Sequence, residues 1–364
     1  MKNKDFWDHS GKVLLTIALL LGFTSLSLNL SSRYFEKKNP VNTEGTIQPK
    51  ETIQVINVLG GGQAVYGKSI TNDDYTVVVE GLDTLVHNYD VSVYTQNSLI
   101  GTEVSTQFGD AMKNIGFKAV SLATPQSMKF DKPGIETSLS YWNNSGLYVT
   151  GNYLSTDQQN LIPHFEVNGI SVVVLSFTEK LDNALPDYEQ YLVNVYDDVR
   201  SLQIVEQASY IADVVIVSMA WDGIHNEQPT ERQQQIAKAL ADAGASVILG
   251  NAGSAIQPVH WIDDTLIFYG MGNLVSDAFM EEDRIGLVGG ITITKSTYYD
   301  KTKIELTNPR MDLVYSILEP NWYYSTKLFS SLSEEELTNK DEIYQTYRSF
   351  LQSMDDSIRM GGLQ

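Results

Sequence analysis

The chain contains no cysteine among its 364 residues. This absence excludes disulfides, thiolate nucleophiles, cysteine-type zinc sites and iron–sulfur clusters. Basic residues are also few, because 25 Lys and Arg stand against 45 Asp and Glu and give a formal net charge of −20. A net negative charge repels the phosphate backbone of nucleic acids. No run of Lys or Arg in the sequence forms a basic patch that would bind phosphates in spite of this repulsion. We therefore expect no nucleic-acid partner.

The chain has enough apolar material to fold. Hydrophobic residues make up 42% of it, which is close to the composition of globular proteins. Its length fits one large domain or two ordinary domains with a sizeable core. Disorder of the whole chain is therefore excluded.

A long apolar run lies near the N-terminus. Val13–Leu30 carries no charge and has about the length that a helix needs to cross a bilayer. It is longer than the apolar core of a cleaved signal peptide and lacks a small-residue cleavage pattern, so we favour an uncleaved anchor over an export signal. Lys and Arg are equally frequent before and after the run, so the positive-inside rule does not decide its orientation. The large acidic domain that follows is most simply explained as an exported domain. We expect a single-pass protein of the cell membrane with an extracellular C-terminal domain.

The composition predicts five consecutive parts. They are a short cytoplasmic N-terminus (1–12), a transmembrane anchor or signal (13–31), a solvated linker (32–52), the main domain (53–315) and a C-terminal helical extension (316–364). The linker is predicted because Lys, Asn, Pro, Thr and Gln follow one another there without an apolar period.

Strand and helix patterns alternate in the main domain. Short β-branched runs predict buried strands at 53–59, 76–80, 117–123, 170–177, 213–219, 245–250 and 265–269. Apolar residues at helical spacing predict one helix over 103–116 and a second from Pro229 to Gly244. This alternation is typical of an α/β domain, whose functional loops follow the carboxyl ends of its strands.

One stretch, residues 212–273, carries a recognisable set of residues at fixed spacing. The set consists of Trp221, Pro229, Gln233, Ala243-Gly244-Ala245, Gly250, Gln257-Pro258, Tyr269 and Gly272-Asn273. In this set the chain resembles the CapA family of capsule and poly-gamma-glutamate synthesis proteins. An earlier stretch, 116–135, looks like the family's Gly-Phe-Asp-x-Val-Ser-Leu-Ala-Asn-Asn-His segment, and the similarity extends over 53–315.

The resemblance implies an α/β fold of the calcineurin-like metallophosphoesterase type, a four-layer α/β/β/α sandwich. In such a fold the strand-end loops carry Asp, Asn and His ligands for two metal ions. Two ions held together activate water and stabilise a leaving oxygen. Trp221, Asn251 and Asn273 are the residues of this sequence expected to lie in the corresponding cleft.

The sequence departs from the family at every ligand position that can be placed. The residues found there are Gly60-Gly61, Thr95-Gln96-Asn97, Thr124-Pro125-Gln126, Lys129, Ala220 and Gly250-Asn251-Ala252-Gly253-Ser254. Gly, Ala and Pro side chains offer no lone pair, and a lysine repels a cation. We therefore expect no metal and no cofactor, and a pseudoenzyme. We interpret Gly60-Gly61-Gly62 as a flexible turn that replaces a lost Asp.

Three functions remain open. The first is a non-catalytic scaffold or accessory of membrane partners in a machinery that makes a capsule or a poly-gamma-glutamate-type polymer. The second is a metal-dependent phosphoesterase-like or amide-cleaving hydrolase, rebuilt around Asp222, His225 and Glu227. The third is a cell-wall carbohydrate binding module that uses Trp221 and Asn251. Because a charge of −20 opposes tight binding of a polyanion, contact with protein partners is favoured over contact with bulk polymer.

Overall fold

A computed structural model of the protein describes residues 51–66, 74–222, 227–319 and 323–363. The chain divides into two compact units, 1–50 and 51–364, and every described residue belongs to the second. The predicted membrane segment, 13–31, lies outside the described residues. Among the helices in the described part of the chain, none is long and apolar enough to span a membrane.

The first of two β-sheets is built around a long central strand, β1 (Thr52–Val65). From one edge to the other, the strands are β14 (Tyr324–Leu328), β13 (Lys301–Leu318), β12 (Ile285–Tyr298), β1, β2 (Val91–Gln96), β3 (Ala119–Ser121) and β4 (Tyr148–Thr150). Two short strands join this sheet: β11 (Asn273–Ser276) pairs with the end of β1, and β15 (Arg359–Met360) pairs with β13. β1 is parallel to β2 and β11 but antiparallel to β12.

The second sheet has a parallel centre. Its strands are, in spatial order, β5 (Phe165–Val167), β6 (Ile170–Thr178), β7 (Val214–Ala220), β8 (Val247–Asn251), β10 (Thr265–Met271) and β9 (Ile256–Ile262). β6, β7, β8 and β10 run parallel, and the two edge strands, β5 and β9, are antiparallel to their neighbours. Parallel strands buried on both faces read as continuous apolar runs, which is why the sequence predicted them.

The helices of the described residues connect these strands. They are α1 (Thr76–Val79), α2 (Asp83–His87), α3 (Thr106–Asn114), α4 (Asp131–Ser145), α5 (Thr156–Asn160), α6 (Arg200–Ile211), α7 (Glu231–Asp242) and α8 (Lys340–Leu351). α7 begins with a capping box in which the side chain of Thr230 accepts the backbone N–H of Gln233. Such a box satisfies backbone donors that the first turn leaves free.

Buried side chains form three apolar layers. Between the sheets, Ile56 and Val58 of β1 share one core with Ile216 of β7. On the outer face of the first sheet, helices α1 to α4 bury side chains such as Phe108, and on the outer face of the second sheet α6 and α7 do the same with side chains such as Ile236. The layers are thus helices, sheet, sheet and helices, and the predicted α/β class is confirmed.

One predicted strand is wrong. Residues 76–80 form the short helix α1 and the start of a 3-10 turn. Val78 and Val79 are buried, as in a strand. A short apolar run has no distinguishing period, so the sequence does not separate a buried strand from a buried helical turn.

The C-terminal residues belong to the same fold. β13 runs across residue 315, where the sequence placed a boundary, and β14 and β15 add two more strands to the first sheet after it. α8 then packs Leu351 into the core between the sheets. Residues 316–363 therefore supply strands as well as the predicted helix.

We predict that Leu351→Ala lowers the free energy of unfolding by about 2–5 kcal/mol, the usual cost of removing a fully buried leucine. Urea denaturation followed by tryptophan fluorescence measures the change. Ser349→Ala, at an exposed position of the same helix, is the control and should change stability by less than about 0.5 kcal/mol. Equal effects of the two substitutions would show that α8 is not part of the core.

Candidate functional site

The candidate site lies where the carboxyl ends of parallel strands from both sheets meet. β2 of the first sheet ends beside β7 and β8 of the second, because the side-chain amide of Asn251 donates to Oγ1 of Thr95 at 3.0 Å. In layered α/β folds this edge is the ordinary place for a functional site.

Neutral side chains fill the space between these strand ends. Oγ1 of Thr95 lies 3.1 Å from Oγ of Ser218, on β7, as well as 3.0 Å from Nδ2 of Asn251. A second contact crosses between the sheets nearby, where the hydroxyls of Ser121 and Ser176 lie 2.6 Å apart. All five side chains are buried. We call Thr95, Ser121, Ser176, Ser218 and Asn251 the hydroxyl–amide layer.

A pair of amides continues the layer towards the next loops. Nε2 of Gln63 donates to Oδ1 of Asn273 at 2.9 Å and to the carbonyl of Gly253 at 3.0 Å. Nδ2 of Asn273 donates in turn to the carbonyl of Asp283 at 2.7 Å. Asn273 therefore joins the end of β1 to the loop before β12.

The three consecutive glycines, 60–62, lie inside β1, so our interpretation of them as a flexible turn is wrong. They serve close packing. A Cβ atom at Gly62 would lie 2.3 Å from the carbonyl oxygen of Gly272 and 2.6 Å from that of Met271. Only glycine admits a backbone at such a distance. The close contact lets the N–H of Gln63 donate to Gly272 at 3.0 Å.

The predicted cleft residues Trp221, Asn251 and Asn273 all have buried side chains. Nε1 of Trp221 donates to the carbonyl of Tyr269 at 2.6 Å, and its backbone N–H donates to the carbonyl of Asn251 at 2.9 Å. Burial raises the pKa of Tyr269 to about 12. These side chains brace the strand ends and present no open surface to a ligand.

Two glutamines of the sequence motif also bond to each other. Nε2 of Gln233, on α7, donates to Oε1 of Gln257, on β9, at 2.8 Å, and both side chains are buried. Gln233 also completes the capping box of α7. The residues that carry the resemblance therefore hold helix and strands in place, and they need no metal for that role.

Two of the three predicted catalytic residues, Asp222 and Glu227, belong to the described residues, and they have different neighbours. His225 lies outside the described residues. The half-exposed carboxylate of Asp222 is 3.2 Å from Nζ of Lys180. The backbone N–H of Asp222 donates to Oε2 of Glu179 at 3.1 Å. Glu179 is also 3.4 Å from Nε of Arg232. Asp222 thus belongs to an ion-pair network at the surface.

Glu227 lies in a different place. It lines a cavity of about 440 Å³ together with Glu282, Asp283 and Tyr347. The phenol of Tyr347 has a raised pKa, first because it is buried and then because these three carboxylates disfavour its ionised form. Among the described residues, no hydrogen bond or ion pair connects Glu227 to Asp222.

The residues at the strand ends do not fit a pair of divalent metal ions. Such ions are held by carboxylate and imidazole ligands, whereas the hydroxyl–amide layer is neutral and largely bonded to itself. Within 51–66, 74–222, 227–319 and 323–363, no group of three or more His, Asp or Glu is placed to hold a metal ion. Lys129, which stands at another of the expected ligand positions, forms an ion pair with Glu103.

Sequence reasoning singled out Asn251 and Asn273 but missed Gln63, Ser176 and Ser218. A signal was available for the two serines, because each directly follows four consecutive buried apolar residues of its strand, 172–175 before Ser176 and 214–217 before Ser218. Buried polar groups need partners, and such a residue therefore marks a contact with another buried polar group. The sequence does not say which group, since the partners lie on the other sheet.

A family model described as "Bacterial capsule synthesis protein PGA_cap" matches residues 59–278, which is more than half of the chain. The match begins within β1 and ends just after β11, so it includes every residue of the hydroxyl–amide layer.

Two characterised relatives align with part of the chain. The PGA biosynthesis protein CapA of Bacillus subtilis (strain 168) is 27% identical over 168 residues, which cover 46% of this chain and 44% of the relative. The capsule biosynthesis protein CapA of Bacillus anthracis is 30% identical over 173 residues, covering 46% and 42%. The alignments thus span less than half the length of each relative. Among solved structures, a hypothetical protein from Thermus thermophilus aligns with 69% of this chain and 98% of its own, at a TM-score of 0.39 and 13% identity.

We predict that Thr95→Val lowers the free energy of unfolding by about 1–3 kcal/mol, because the buried amide of Asn251 and hydroxyl of Ser218 lose a shared partner. Valine keeps the shape and removes only the hydroxyl. Thr307→Val, at an exposed position of β13, is the matched control. If both variants unfold at the same urea concentration, the layer contributes nothing to stability.

Proposed function

Because the chain belongs to the PGA_cap family of bacterial capsule synthesis proteins, we propose that it assists the assembly of a capsule or a poly-gamma-glutamate-type surface polymer. It does so without metal catalysis, as a scaffold or accessory protein. It is anchored in the cell membrane by residues 13–31, with the described domain outside the cell.

The hydroxyl–amide layer is the observation that carries this proposal. Family membership implies a metallophosphoesterase-like fold, in which this edge would hold two metal ions. In this chain the framework of the edge is intact, because Trp221, Gln233 and Asn273 all take part in buried hydrogen bonds. Thr95 and Asn251 occupy two of the expected ligand positions with neutral side chains, and they are hydrogen-bonded to each other, with Ser218 beside Thr95. This arrangement supports a role of the fold other than the chemistry of two metal ions.

The charge of the chain supports protein partners over bulk polymer. At −20, the protein repels a polyanion such as polyglutamate, and only bridging cations or a basic face would overcome that repulsion. We propose that its partners are membrane proteins of the polymer-synthesis machinery.

The carbohydrate-binding alternative receives less support. Trp221 and Asn251 are buried and engaged in hydrogen bonds within the protein. Stacking on a sugar requires an exposed ring face, which Trp221 lacks.

We predict that the purified full chain retains far less than one equivalent of metal after incubation with manganese, zinc or iron and desalting. Elemental mass spectrometry gives the metal-to-protein ratio. The physical reason is the neutral donor set at the strand ends. A ratio near one or two would mean that ligands have been rebuilt, and it would favour the hydrolase around Asp222, His225 and Glu227.

A complementation experiment tests the function itself. In a strain that lacks this chain, we expect the amount of attached surface polymer to fall, and the wild-type chain to restore it. His225→Ala and Glu227→Gln should restore it equally well, because neither residue carries chemistry in a scaffold. Surface polymer is measured on intact cells. An unchanged polymer level in the deleted strain contradicts the proposed role. If the wild-type chain restores the polymer but His225→Ala does not, the result points to the hydrolase.

A further inference from the structure

The hairpin formed by β12 and β13 ends in two exposed aromatic rings. Tyr298 is 49% and Tyr299 is 66% exposed. Their ring centroids are 4.7 Å apart at an interplanar angle of 86°, so the two rings support each other in an edge-to-face pair. The pair occupies the tip of the hairpin, between Thr297 and Lys301.

The beginning of β1 adds apolar surface beside this tip. Ile53 is 60% and Val55 is 42% exposed, and they are alternate residues that share one face of the strand. Ile53 lies opposite Ser296 of β12, two residues before Tyr298, so Tyr298 belongs to the same face. Four apolar or aromatic side chains are therefore exposed at one end of the first sheet. We call Ile53, Val55, Tyr298 and Tyr299 the hairpin patch.

Two lysines lie on the same face as the hairpin patch, because Lys301 is opposite Tyr298 and Lys303 is opposite Ser296. Residues 295–303 contain three lysines and one aspartate. Lys295 pairs with Asp213 and Lys303 pairs with Glu305, whereas the exposed Lys301 has no ion pair within the described residues. Tyrosine rings flanked by lysines are typical of the interface between a bilayer and water, where the ring enters the headgroups and the ammonium stays hydrated.

The position of the hairpin patch in the chain favours a membrane as its partner. Thr52, the first residue of β1, pairs with Thr297, at the base of the tip. The apolar run of the sequence, 13–31, precedes Thr52 by a linker of polar composition. Twenty residues, 32–51, separate the run from Thr52. With residues 13–31 in the membrane, as proposed above, the start of β1 is the described part of the domain that lies nearest to the anchor along the chain.

We propose that the hairpin patch contacts the lipid headgroups of the membrane in which the protein is anchored. The inference rests on the anchor of the proposed function and adds an orientation to it. β1 runs from the hairpin patch to Gln63, and eleven residues of extended strand span roughly 35 Å. The loops around the buried hydroxyl–amide layer are thereby held away from the lipid, where the protein partners of the proposed function would reach them.

The absence of cysteine makes a direct test simple. Asp300→Cys places a single thiol next to the tyrosine pair, and Met280→Cys places one at the opposite end of β1, in the loop after β11. Both positions are exposed, so a fluorescent label fits at either. The loop after β11 also carries Phe279, which is 95% exposed, so it controls for apolar stickiness.

The labelled full chain is reconstituted into vesicles of phosphatidylcholine and phosphatidylglycerol that contain a headgroup-nitroxide lipid. We expect several-fold stronger quenching at residue 300 than at residue 280. Adding Tyr298→Ser and Tyr299→Ser should lower the quenching at 300, while Phe279→Ser should leave it unchanged. Vesicles of phosphatidylcholine alone show whether the contact needs anionic lipid as well as apolar insertion. Quenching at residue 300 that falls in these vesicles but stays stronger than at residue 280 still agrees with contact, and so does quenching that does not change.

Two different failures can be told apart. If the chain does not float with the vesicles in a density gradient, the anchor fails, and with it the membrane part of the proposed function. If the chain floats but residue 300 is quenched no more than residue 280, the anchor stands and the hairpin contact is overturned.

Discussion

The close approach of β1 to the backbone at Met271 and Gly272 is the constraint on which the rest of the edge depends. Gly62 permits it, because any side chain there would overlap the two carbonyl oxygens. The approach lets β11 pair with the last residues of β1 where β12 leaves it. The side chain of Gln63 then reaches Asn273 and Gly253, and the loops on that side are fixed. A single steric condition inside one strand thus fixes the end of β1 against β11 and against the loop that contains Gly253.

The neutrality of the hydroxyl–amide layer has an electrostatic reason. Several carboxylates buried together are stable only with cations among them, since each uncompensated buried charge costs several kcal/mol. A chain that lost its metal while keeping those ligands would be strained by their repulsion. The hydroxyl of Thr95 and the amide of Asn251 carry no such repulsion, and they form hydrogen bonds across the sheets at 3.0–3.1 Å. A neutral layer at this edge is therefore stable without a cation among its side chains.

Local patterns in the sequence predicted much of the fold. The β-branched runs predicted β6, β7, β8 and β10, and a proline followed by apolar residues at helical spacing predicted α7. The patterns failed where one sequence signal is compatible with two kinds of secondary structure. A short apolar run, 76–80, was predicted to be a strand but is helical, and the three glycines were predicted to be a turn but lie in a strand. The partners of the site residues were beyond prediction for a different reason. Thr95 and Asn251 are 156 residues apart, and only the packing of the two sheets brings them together.

The central position of β1 has a consequence for how the protein reaches its native state. Asn57 of β1 bonds to Thr292 of β12, 235 residues further along the chain. β1, the first strand of the described residues, therefore lacks its β12 partner until most of the chain has followed it. Non-local pairing of this kind makes folding slow. The long loop between the two strands must lose conformational entropy before the stabilising contacts between them form. The newly made chain consequently has an open strand edge until β12 has been synthesised, and an unpaired edge of this kind favours aggregation.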